Sequence, residues 1–333
     1  MQSSRSDRMS SGATVMLSAI IINIRSLIYR KNNIPEMYEE VLQMEQAMKV
    51  ATDDDLLKSY KKFGNFNLLV NISVVLNTVI LSMALVVNGF TNVLKVGVEN
   101  YNFEQGPVLY ELYFPISRND HKTLIIIINV YMCILGLIFN IGSQTILYSL
   151  MNMASFRLNM LGVKIKKFPL LARRNNNDEY LTIKQCIIEH QNLIRFVQLM
   201  NESVKYVVLM EFLFNTFTVA SVLFQLVTIK VLSKFLFAFL FNCMLVSQIF
   251  IFAWTANEVK EQSVSISNSI YESPWYETNK EVKTLLLIML LRTQKPLVVT
   301  IGPFNPMTNE TALMTLKAAY SYATVMMKGF QEE

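Results

Sequence analysis

Charge is scarce in this chain. Asp, Glu, Lys and Arg make up 17% of its 333 residues, where a soluble domain carries about a quarter. The net charge of +5 is not gathered into a long basic run. Nucleic acid is therefore excluded as a partner, because phosphate binding needs a clustered basic face. There are two histidines, His121 and His190, far apart in sequence. With them go no Gly-rich phosphate loop, no His-Glu-x-x-His and no Gly-x-Ser-x-Gly, so no enzyme chemistry is implied. Three widely spaced cysteines, Cys133, Cys186 and Cys243, offer no disulfide framework and no metal-ligand spacing. Neither a cofactor nor a metal is expected. Cys133 and Cys243 lie in apolar runs, where a free thiol behaves as a small buried hydrophobe. Glycine (10) and proline (8) are sparse, which fits long helices with few breaks. The polar start MQSSRSDRMSSG and the run after it do not form a cleavable signal of the usual kind.

What is abundant is hydrocarbon. Hydrophobic residues make up 52% and the mean hydropathy is +0.34, which selects the membrane class. Apolar runs fall at roughly 13–29, 67–89, 123–147, 206–229 and 235–257, with a shorter one at 312–327. A helix needs about 20 residues to cross a bilayer. The expected fold is thus an all-α membrane protein with six spans. Arg25 interrupts the first run near one end, where snorkelling to the headgroups is expected. Glu211 lies in the fourth run close to its cytoplasmic end. An intramembrane carboxylate is a functional candidate by default, but pairing with nearby Lys205 accounts for it too.

Lysine and arginine crowd three segments between runs. Segment 30–65 holds Arg30, Lys31, Lys49, Lys58, Lys61 and Lys62. Segment 151–203 holds eight, from Arg157 to Arg195, and 258–295 holds Lys260, Lys280, Lys283, Arg292 and Lys295. Segment 91–122 offers only Lys95, Arg118 and Lys122. The positive-inside rule puts the three rich segments in the cytoplasm and both termini outside. Segment 151–203 is more than a loop. Ile183, Ile187, Ile194, Val197 and Met200 recur at helical spacing, which predicts an amphipathic helix. The chain divides into N-terminal spans (1–150), a cytoplasmic helical segment (151–203), and a C-terminal part with spans, a cytoplasmic segment and the last helix (204–333).

The C-terminal quarter carries the most specific pattern. Trp254, Asn257, Glu258, Gln262, Ser263, Tyr271, Ser273, Trp275, Tyr276, Met289, Arg292, Gln294, Lys295, Pro296 and Leu297 are followed by Lys317, Tyr320, Ser321 and Tyr322. This combination at fixed offsets resembles the C-terminal signature of the insect odorant receptors. The resemblance implies a seven-span subunit with a cytoplasmic N-terminus, an extracellular C-terminus and a short C-terminal pore helix. It further implies a cation channel opened by odorants, assembled as a hetero-oligomeric tetramer with a shared co-receptor. Against that family the chain is one span short at its start, as a truncated gene model or splice form would be. Location in the plasma membrane, in dendrites of olfactory neurons, is likewise implied.

Three residue sets follow from the resemblance. An outer-leaflet pocket for a small volatile apolar ligand would draw on Met83, Val87, Tyr131, Met132, Phe237 and Phe241. Met and aromatic stripes are otherwise ordinary packing. Thr315, Ala318, Tyr322 and Val325 share a helical stripe, which alone fits close packing or a pore equally. The family's pore is lined by this helix, and Val325 falls at its apolar gate. Tyr271, Trp275, Tyr276, Arg292, Lys295 and Pro296 would anchor subunits on the cytoplasmic side, where LLLIMLLRTQKPL reads as a buried helix ended by Pro296. Alternatives are a G-protein-coupled-type receptor and a gustatory receptor. The first should show Asp-Arg-Tyr and Asn-Pro-x-x-Tyr triplets, and the second a Thr-Tyr…Gln-Phe ending; the sequence has none of these.

Overall fold

A computed structural model describes residues 23–30, 34–50, 54–103, 117, 119–174, 178–228 and 232–331. After a helical stretch at 23–30 come α1 (Ile34–Val50), α2 (Asp54–Val96), α3 (Lys122–Lys166), α4 (Phe168–Arg174), α5 (Glu179–Thr228), α6 (Leu232–Glu272), a 3₁₀ turn (Trp275–Glu277), α7 (Lys280–Thr293) and α8 (Asn309–Gln331). Among the described residues, extended pairing is limited to one bridge between Thr300 and Pro306. The expected all-α membrane architecture is the one observed.

Length explains the shape. α3 has 45 residues and α5 has 50, so at 1.5 Å per residue each runs roughly 70 Å, about twice a bilayer's hydrocarbon core. Each helix must therefore leave the membrane and find another way to cover its apolar face. The burial pattern of α3 shows where it does so. As far as Gly142 it buries only Ile125 and Asn129, whereas from Leu150 to Leu158 every residue is buried. Four helices among the described residues are long and apolar enough to cross a membrane: Tyr60–Ile80, Lys122–Lys166, Glu179–Val227 and Ala238–Glu272. The predicted span at 13–29 lies largely outside the described residues, and 312–327 is helical within α8 but is not one of these four.

The core lies at the end of the spans where α3, α5 and α6 bundle with α7. Leu158, Leu161, Ile183, Leu193, Met200, Val259, Ile266 and Val282 are among its most buried members. The amphipathic pattern read in 183–200 is borne out: Ile183, Val197 and Met200 are buried, and Ile187 and Ile194 pack against them. α3 and α6 approach closely at Gly162, where a Cβ would stand 2.8 Å from Ser269 Oγ. Small residues permit this contact as they do in membrane helix pairs. Inter-helix amides add polar ties within the bundle. Asn152 Nδ2 donates to Asn67 Oδ1 (2.9 Å), and Asn77 Nδ2 donates to the Met244 carbonyl (3.1 Å). Among the described residues no cysteine forms a disulfide, and only Cys186 is buried. Cys243 is exposed and Cys133 half-buried, because their runs face outward rather than into the bundle.

α7 starts at an Asn279 cap that accepts from Val282 N (2.9 Å), as short polar caps do. It ends at Thr293, before Pro296. One face, Val282, Leu286 and Met289, is buried; Leu287, Ile288 and Leu291 are exposed. The helix expected to be buried is thus half covered in the protomer. The strand-like link to α8 is pinned from both sides. Leu297 N donates to Ser263 Oγ (3.0 Å), Thr300 N to Asn201 Oδ1 (2.7 Å) and Gly302 N to the Lys205 carbonyl (2.9 Å). Gly302 sits at φ +59°, a conformation glycine adopts without a side-chain penalty.

Candidate functional site

α8 is positioned by that link and by reciprocal capping. Thr308 N donates to Thr311 Oγ1 (2.7 Å) and Thr311 N to Thr308 Oγ1 (3.3 Å), a threonine version of the capping box. Ala312, Thr315, Ala319 and Ala323 form its buried face, against α5 and α6. The candidate stripe is divided by this packing. Thr315 is only 2% exposed and turned into the protomer, and Ala318 is half-buried. Tyr322 and Val325 are 60% and 68% exposed. The outer face also carries Leu313, Met314, Lys317, Tyr320 and Ser321, so it mixes apolar and polar groups.

The outer-leaflet candidates are not brought into one enclosed space. Met83 and Val87 on α2 and Tyr131 and Met132 on α3 are exposed, and Phe241 packs against the core. The side chain of Phe237 lies outside the described residues. In the cytoplasmic set, Tyr271 and Tyr276 are exposed. Trp275 meets Tyr276 edge-on at 6.2 Å. Arg292 Nη1 donates to the Lys295 carbonyl (3.1 Å), closing the end of α7, and Pro296 begins the extended link. His190 is buried near Arg292. Burial and that neighbouring positive charge push its imidazole down to about 4, so it is a neutral packing group at pH 7.

Two sequence expectations fail at the centre of the bundle. Arg25 does not snorkel: it is 4% exposed and its Nη1 stands 2.7 Å from Glu211 Oε1. Its Nη2 donates to Asn140 Oδ1 (3.4 Å). Glu211 is therefore not the partner of Lys205, which pairs one turn earlier with Glu202. The reason is direction. Lys205 lies six residues from Glu211, about a third of the way round the helix from it, while the 23–30 stretch brings Arg25 to the correct face. Both charges were visible in the sequence as the intramembrane ionic residues of their runs. Their pairing across 186 positions was not.

A sequence model of the 7tm Odorant receptor family matches residues 9–320. The chain belongs to that family. Odorant receptor 10 of Aedes albopictus is 34% identical over 158 residues, which is 47% of this chain and 42% of that one. Odorant receptor Or2 of Anopheles gambiae is 32% identical over 149 residues, 45% and 39% of the two chains. The aligned part thus spans about two fifths of these curated relatives. The fold extends further than the sequence match. The solved insect olfactory receptor OR5 of Machilis hrabei, in complex with eugenol, superposes with a TM-score of 0.75 at 15% identity, covering 96% of this chain and 82% of that one. This odorant receptor family member is therefore a multi-pass membrane protein with the helical bundle of OR5.

Proposed function

We propose that this receptor is the odorant-binding subunit of a ligand-gated, non-selective cation channel. It would assemble with an odorant co-receptor as a hetero-tetramer and serve the sense of smell in dendritic membranes of olfactory neurons. One observation carries the reading. α8 packs an alanine and threonine face inward and leaves Tyr320, Tyr322, Val325 and Lys317 on its outside. A lipid-facing helix would not carry that mixture, whereas a water-lined path closed by an apolar ring would. The bare Leu287, Ile288 and Leu291 face of α7 supports assembly, since an apolar face outside the membrane calls for cover. With Lys/Arg-rich segments inside, both chain ends face outward.

The mechanism is a population shift. A small apolar odorant reaches Met83, Val87, Tyr131, Met132 and Phe241 from the outer leaflet and binds the open arrangement more tightly. Helices α5 and α6, which touch α8, carry the change to Tyr322 and Val325. Patch recording from cells expressing the receptor with a co-receptor tests this. Odour-evoked cation current is expected, and Val325→Ser should raise the leak without odorant. If Val325→Ser and Tyr322→Ala leave leak, conductance and selectivity unchanged in channels shown to be at the surface, α8 does not line the path.

A further inference from the structure

The inner part of the bundle contains a small cavity between α3, α5, α6 and α8. Its polar walls are Gln144, Glu211, Asn215, Gln248 and Thr315, and Met307 closes it on the side of the link. It has room for about one or two water-sized molecules. It lies at the inner ends of the spans, apart from the outer-leaflet residues discussed above.

The walls are incomplete. Gln144 is 5% exposed, yet its Oε1 has no hydrogen-bond partner among the described residues. Behind Glu211 and outside the cavity wall, Arg25 Nε and Tyr29 Oη are also buried without a partner among the described residues. A buried polar group is rarely left this way, and one in the wall of a cavity calls for an occupant. The unmet demands define its chemistry. The Gln144 amide oxygen needs a donor, and the amide N–H groups of Asn215 and Gln248 in the wall can donate in return. A cation would compete with Arg25 for Glu211, and an anion would meet Glu211 in the wall. The two charges cancel as a pair at 2.7 Å, so the site favours a neutral group that both donates and accepts. Thr315 Oγ1 already donates to the Thr311 carbonyl (2.7 Å), which leaves its lone pair free to accept.

We propose that this cavity is a binding site for a neutral hydroxyl, supplied by water or by a short alcohol, which bridges Gln144 and Glu211 to the final helix at Thr315. The inference does not depend on channel activity.

Radiolytic footprinting of the full chain in lipid nanodiscs tests it, because a buried residue beside a held water is oxidised faster than its exposure predicts. Met307, Met160 and Met200 are 4%, 3% and 0% exposed, and Met314 at 62% serves as the dose reference. Met307 should oxidise several-fold faster than Met160 and Met200, and Gln144→Leu should bring it down to their rate. Should that variant fold poorly, Thr315→Val, which keeps the side-chain shape, should slow Met307 as well. Equal rates for the three buried methionines in the unaltered chain would overturn the proposal. Ethanol and acetonitrile, which have the same number of heavy atoms, separate the two sources. A Met307-to-Met314 ratio that falls saturably with ethanol alone assigns the site to alcohols as well as water. A ratio that neither solvent changes assigns it to water. A fall of equal size with acetonitrile, which cannot donate, refutes the requirement for a hydroxyl.

Discussion

Glu211→Leu removes one half of a buried ion pair and leaves the other half behind. Arg25 and Glu211 retain 5% and 15% of their side-chain exposure and stand 2.7 Å apart. Breaking a pair of this kind costs about 3–5 kcal/mol, because the remaining charge is desolvated without compensation. That is a large share of the roughly 5–15 kcal/mol that holds a typical protein folded. The two single variants should not be equal. An abandoned carboxylate can neutralise itself by taking a proton, whereas a guanidinium keeps its charge. Arg25→Met should therefore cost less than Glu211→Leu. The double variant Arg25→Met/Glu211→Leu removes both charges and restores apolar packing, so it should recover to within about 1 kcal/mol of the parent or exceed it. The assay is the temperature at which the purified, detergent-solubilised receptor loses its monodisperse peak, read for all four proteins. Glu211→Leu should fall by on the order of 10 °C, and the double variant should return most of that loss. Additive losses, with the double variant the least stable of the four, would show that the two residues are not a pair.

Gly302→Ala should destabilise the link to α8 by about 1–2 kcal/mol, since φ +59° disfavours any Cβ and the new methyl would meet Leu209 Cδ2 at 3.0 Å; unfolding midpoints of Gly302→Ala and the parent check it, and an unchanged midpoint would contradict the left-handed turn. His190 is held neutral with its proton affinity lowered to about pH 4, so the unfolded chain takes up the proton first as pH falls. Stability should be level above pH 6.5, fall by about 1.4 kcal/mol per pH unit between there and pH 4, and lose this slope in His190→Gln. Melting scans from pH 7.5 to 5 provide the measurement. Ile288→Asp on the bare face of α7 should leave the protomer folded but lower its recovery with a tagged co-receptor; undiminished recovery would place the subunit contact elsewhere.

Composition alone determined that this is a helical membrane protein. Sparse charge, sparse glycine and proline, and runs near 20 residues leave few other structures for a bilayer, where every backbone group must be satisfied within its own helix. The motif from Trp254 to Tyr322 pointed to the family, because so many residue types at fixed offsets do not coincide by chance. Local pattern also sufficed for the amphipathic start of α5, whose buried isoleucines are set by period alone. It did not suffice wherever the partner was remote. Arg25 looked like a snorkelling residue and Glu211 like a neighbour of Lys205, since sequence ranks neighbours by distance along the chain. Only the packing of the 23–30 stretch against α5 joined the two charges. The stripe on α8 was likewise read as one face, but Thr315 sits at the margin of the buried Ala312, Ala319 and Ala323 face, while Tyr322 and Val325 fall on the side turned away from it. Period fixes which residues share a face; what that face meets is decided by the neighbouring helices, and the sequence of one helix does not contain them.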